Sequence, residues 1–153
     1  MLVWIIIAAA VVGIDQLAKV LVAANLSATD CIHVIPGLFD FVYVKNTGAA
    51  FSILSDNTAL LGVISVFFCI GVIVYWYMMK PKHKLLRLSV TLLFAGALGN
   101  AIDRIFRGFV VDFISTAFMT FPVFNIADIA ITVGAALLII YLLFFDKSED
   151  KSE

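Results

Sequence analysis

Two aspartates sit in settings that raise a question of chemistry. One is in Val110-Val111-Asp112-Phe113-Ile114 and the other in Ile126-Ala127-Asp128-Ile129. Desolvation raises a carboxyl pKa, and two carboxylates held close together cannot both ionise, so they share one proton. One member can then deprotonate a water while the other protonates a leaving group. The pair titrates as a unit. No serine–histidine or cysteine–histidine pair competes with it, because Ser115 has only His33, from a distant loop, as a base. The chemistry that follows is peptide-bond hydrolysis without a covalent enzyme intermediate.

The elements that must position these acids are written in the composition. Hydrophobic residues make up 63% of the chain and charged residues only 14%. A soluble domain is nearer to half apolar, so the fold class expected is an all-α membrane protein. A helix needs about 20 apolar residues to cross a bilayer, and four runs qualify, at about residues 2–24, 58–79, 85–104 and 125–145. They are read as one integral membrane domain over 1–153. The first run carries Asp15 and Lys19 and lacks a basic segment before it, so it reads as a retained span and not a signal peptide.

Polar residues cluster between the runs. Asp15 and Lys19 are four apart, acid before base, on one helical face. They either orient the first span against its neighbours or help shape a polar cavity. Loop 25–57 alternates apolar residues around Pro36-Gly37, which predicts a small extracytoplasmic β-element. Lys45-Asn46-Thr47-Gly48 follows. Gly48 permits close approach of a ligand. Asn46 suits holding an extended peptide, or satisfies its own turn. His33 reads as a bystander, and Cys31 and Cys69 as unpaired thiols with no metal-ligand spacing.

The third run ends in Gly96, Gly99, Asn100, Asp103, Arg104 and Arg107. The glycines allow close helix packing, and the polar residues form a stripe that holds the bundle or lines a site. Asp103 and Arg104 point about 100° apart, so different partners are expected for each. Asp112 falls in loop 105–123, where its apolar flanks are expected to carry it into the membrane interface. Asn125 with Asp128 also fits a helix cap followed by an acid in the first turn. Asp103 is an alternative to Asp112 as the partner of Asp128. Asp112 is preferred, because Asp103 lies beside an arginine on a polar stripe, where a structural role is natural.

The basic cluster Lys80, Lys82, Lys84 and Arg87 marks a cytoplasmic loop. Both termini then face the cytoplasm, and the acids face outward. The tail from Asp146 is polar and expected to be disordered. A net charge of −1 and the lack of a basic groove give no case for nucleic-acid binding. A small transporter or proton channel would spread its charges through the membrane depth; a helix-packing scaffold would give no reason for Asp112.

Five ordered motifs resemble those of bacterial lipoprotein signal peptidase, or signal peptidase II: Gly13-Ile-Asp15-Gln-Leu-Ala-Lys19, Lys45-Asn46-Thr-Gly48-Ala-Ala-Phe51, Gly99-Asn100-Ala-Ile-Asp103-Arg104, Val110-Val-Asp112-Phe113 and Phe124-Asn125-Ile-Ala-Asp128. The resemblance implies an aspartic endopeptidase of the bacterial cytoplasmic membrane. It would remove signal peptides from prolipoproteins before the diacylglyceryl-modified cysteine and be blocked by the cyclic peptide globomycin. It implies Asp112 and Asp128 as the catalytic pair. Asn46 and Asn125 would line the site, and Asn100, Asp103, Arg104, Asp15 and Lys19 would support it. Arg104 would also meet a substrate carbonyl. No metal or other cofactor is expected, the partners are the lipidated substrate and membrane lipid, and the chain is expected to act as a monomer.

Overall fold

The structure is a computed structural model that describes residues 1–48 and 57–146. The last residues of the Lys45–Phe51 motif and the polar tail beyond Asp146 lie outside the described residues. In chain order come α1 (Leu2–Asn25), β1 (Cys31–Ile35), β2 (Phe39–Asn46), α2 (Thr58–Met79), α3 (Lys84–Arg107), β3 (Val110–Thr116) and α4 (Ile126–Phe144). All four helices are long and apolar enough to cross a membrane. Large apolar side chains stand bare along them, among them Leu2 at 70%, Phe67 at 69%, Met78 at 74% and Phe144 at 72%. Faces of this kind belong in lipid. The chain is a multi-pass membrane protein.

The third helix is the axis of the bundle. It is the least hydrophobic of the four and the most buried, and it packs against α4, α2 and α1 in decreasing extent. Its polar residues therefore face protein and not lipid. At Gly96 the approach of α4 is so close that a Cβ would collide with the Ala127 carbonyl oxygen and sit 2.7 Å from Ile131 Cγ1. Small residues are what let membrane helices meet at this range.

Expected span ends hold to within one residue for α1, α2 and α4. The third helix runs three residues past its expected end and stops where Gly108 adopts φ +76°. Glycine takes this left-handed backbone without a Cβ penalty, so the chain leaves the helix and turns into β3.

The β-element has three strands where the sequence suggested a hairpin in loop 25–57 alone. The sheet is antiparallel in the order β1-β2-β3, and β2 pairs with β3 through Asn46↔Val110 and Val44↔Asp112. This corrects two expectations. Asp112 lies on a strand and not in a loop, and its flanks are buried in protein and not in the membrane interface. Val111 and Phe113 pack with Val22 of α1, joined by Phe41, Tyr43 and Ile126. A second apolar core joins Leu86, Val90 and Tyr141 at the other end of the bundle, with Val72 and Trp76. The buried polar residues Asp15, Lys19, Asn100, Asp103 and Asn125 lie between these clusters.

Candidate active site

The polar layer is built around a lysine with no exposure to solvent. Lys19 Nζ lies 2.9 Å from Asp15 Oδ2 and 3.0 Å from Asp103 Oδ2, and donates to Asn100 Oδ1 at 3.0 Å. A buried cation is tolerable only when paired and hydrogen-bonded. Each acid also has a second task. Asp15 Oδ1 accepts from the Ala127 N–H at 2.9 Å, fixing α1 to the start of α4. Asp103 Oδ2 accepts from the Val111 N–H at 3.2 Å, fixing α3 to β3, and Arg107 lies 3.2 Å from its other oxygen. Asp103 and Arg104 thus serve different partners, as their angular separation required. The Asp15–Lys19 pair ties α1 to the start of α4, and through Asn100 it connects to the Asp128 carboxylate.

Asn125 joins the two acids singled out by the sequence. It is fully buried at the N-terminus of α4. Its Nδ2 donates to Asp112 Oδ1 at 2.7 Å and to Asn100 Oδ1 at 3.1 Å. Its Oδ1 accepts from the Asp128 N–H at 3.0 Å, and Asp128 Oδ2 accepts from the Asn125 N–H at 3.1 Å. This is a complete capping box. The cap reading of Asn125 and Asp128 is therefore correct, and the same residue also holds Asp112. Asn100 Nδ2 donates to Asp128 Oδ1 at 2.8 Å. Asn46 Nδ2 donates to Asp112 Oδ2 at 2.8 Å, while its Oδ1 accepts from the Gly48 N–H at 2.9 Å. Asn46 thus both satisfies its own turn and reaches the acid. All four carboxylate oxygens of Asp112 and Asp128 have an N–H partner.

The environment of Asp112 pushes its pKa from the ordinary 3.8 up to about 6. Burial is the main cause. The hydrogen bond from Asn46 opposes it, the charge of Asp128 adds to it, and the bond from Asn125 opposes it again. Asp103 stands apart from this arrangement, occupied by Lys19, Arg107 and the β3 backbone. Arg104 Nη2 donates to the Gly48 carbonyl at 3.3 Å, and its buried Nε has no partner among the described residues.

Sequence reasoning missed Gln16, whose Nε2 donates to the Gly99 carbonyl at 3.0 Å and approaches Asp15 Oδ2 at 3.2 Å. Its place one residue after Asp15, in an apolar span, was the available signal.

Comparisons with known proteins give the family. The family model described as signal peptidase (SPase) II matches residues 7–144. The chain belongs to the signal peptidase II family. Members of that family are aspartic-type peptidases, and this chain is one. It is 40% identical over 153 residues to the lipoprotein signal peptidase of Desulfitobacterium hafniense, covering 100% of both chains. It is 39% identical over 150 residues to that of Enterococcus faecalis, covering 97% of this chain and 92% of the relative. Among solved structures it resembles a bacterial membrane enzyme determined by the in meso method at 2.3 Å resolution, with TM-score 0.92 and 37% identity over 100% of this chain and 94% of the other.

Proposed function

We propose that this protein removes the signal peptide from diacylglyceryl-modified prolipoproteins, with Asp112 and Asp128 as the catalytic pair. The observation that supports the assignment is that one buried residue, Asn125, donates to both carboxylates, through its side-chain Nδ2 to Asp112 Oδ1 and through its backbone N–H to Asp128 Oδ2. One carboxylate takes a proton from water as the oxygen attacks the scissile carbonyl carbon. The other, protonated, gives its proton to the departing α-amine of the lipidated cysteine as the C–N bond breaks. The products are a new carboxyl end on the signal peptide and a free amine on the lipoprotein, and no bond to the enzyme forms.

Asn46, Asn100 and Asn125 hold the carboxylates in orientation, and Asp15, Lys19 and Asp103 anchor the elements that carry them. Gly48 lets the substrate backbone come close. The guanidinium of Arg104 offers its Nε–H to a substrate carbonyl. Lipid binding adds about 0.8 kcal/mol for each methylene buried. The protein works as a single membrane domain and a monomer in the bacterial cytoplasmic membrane. The Lys80–Arg87 loop and both termini face the cytoplasm and the dyad faces outward, as the positive-inside rule requires. A globomycin-type cyclic peptide competes with the substrate for the same site.

The test is cleavage of a lipidated precursor by the purified protein in detergent, read as a mobility shift with the new amino terminus sequenced. Cleavage before the lipidated cysteine, blocked by globomycin, supports the proposal. An intact precursor, or a cut elsewhere, overturns it.

A further inference from the structure

We propose that the edge of the sheet carries a binding site for a divalent transition-metal ion of the zinc class, made by Cys31, His33 and Asp40. The register builds the cluster. Cys31 and His33 are two apart on β1, so both side chains point to one face of the sheet. Asp40 of β2 lies directly opposite His33 in the antiparallel pairing. One ligand atom from each residue lies within 4.8 Å of the other two, and His33 Nδ1 is 2.7 Å from Asp40 Oδ1. β2 is paired on both sides, the register of β1 shifts between His33 and Ile35, and the Leu38 N–H closes the hairpin onto the Ile35 carbonyl at 2.9 Å.

The donor set selects the ion. A thiolate, an imidazole and a carboxylate together suit zinc and its neighbours rather than magnesium or calcium. Tetrahedral bonds of about 2.0–2.3 Å place ligand atoms roughly 3.3–3.6 Å apart. Cys31 and His33 are exposed, so rotation of their side chains closes the remaining ångström. The ion takes the place of the hydrogen bond between His33 Nδ1 and Asp40; the imidazole binds in its neutral form with its one N–H on Nε2, and the thiol proton of Cys31 leaves to solvent. Three protein ligands leave a fourth position for water. The ion clips β1 to β2 at a place separate from the dyad, on the strand at the far edge from β3.

The test is titration of the full-length protein in detergent with Co(II). The expected result is a near-ultraviolet thiolate-to-cobalt band that saturates at one ion per chain and is displaced by Zn(II). The Cys31→Ser, His33→Ala and Asp40→Asn variants should each bind more than about 100-fold more weakly, a loss beyond that of a supporting residue. The Cys69→Ser variant should keep the band, since that thiol is buried in α2. Unchanged far-ultraviolet circular dichroism shows that each variant is folded. The inference is overturned if the band is absent, if it disappears with Cys69→Ser, or if it survives in folded Cys31→Ser.

Discussion

Replacing Asp112 by Asn should make the protein more stable at neutral and alkaline pH. The carboxyl is only 3% exposed and is pushed from 3.8 up to about 6. Such a group favours folding in its neutral form, so its contribution is fully present below about pH 4 and is lost as pH rises through 6. A rise from 3.8 to about 6, at 1.36 kcal/mol per pH unit, corresponds to about 3 kcal/mol lost by pH 8. Asparagine is neutral throughout. It also turns one amide N–H toward a donor, either Asn46 or Asn125, at a cost of about 1 kcal/mol. The net expectation is about 2 kcal/mol of stabilisation at pH 8, falling to about 0.5 kcal/mol at pH 5 and to none or less near pH 4. Thermal unfolding in detergent from pH 5 to pH 8, wild type against Asp112→Asn, reads this directly. A difference in Tm that stays flat with pH, or that falls as pH rises, would refute the reasoning.

Other perturbations follow from the same contacts. Lys19→Met strands Asp15 and Asp103 as buried, partly uncompensated acids and should cost about 3–5 kcal/mol, seen as a large drop in Tm. Asn125→Ala removes the cap of α4 and the bridge between the acids; about 1 kcal/mol of stability should be lost, with a fall in kcat of at least about 100-fold in the cleavage assay. Gly96→Leu should prevent α4 from seating on α3, so that the protein fails to elute as a single folded species. Arg104→Lys should raise KM more than it lowers kcat, because a lysine keeps the charge but not the planar fork.

The sequence made the helices legible because each is an apolar run of span length, and lipid imposes that requirement on every helix alike. Asp112 and Asp128 stood out for a related reason, since an acid among apolar neighbours has few bland explanations. The strand under Asp112 was less visible. Val110-Val111 and Phe113 favour a strand, but the partner is β2, far away in sequence, and a pairing of that range leaves no local trace. The partners of Lys19 were hidden in the same way. Spacing gave Asp15, one turn back on the same helix, but Asp103 and Asn100 depend on how α3 is rotated against α1. Asn125 shows the limit of either reading taken alone. Its cap is a local pattern and could be read, while its bond to Asp112 needs the fold.

The claim at the centre is that Asp112 and Asp128 work as a pair on one water. It is tested most directly by measuring single-turnover cleavage of a lipidated precursor by Asp112→Asn, Asp128→Asn and Asp103→Asn proteins shown to be folded. The account predicts that the first two each lose at least about 1,000-fold in rate, and that Asp103→Asn, wherever it remains folded, loses far less. Retention by either of the first two of a rate within tenfold of wild type would contradict it.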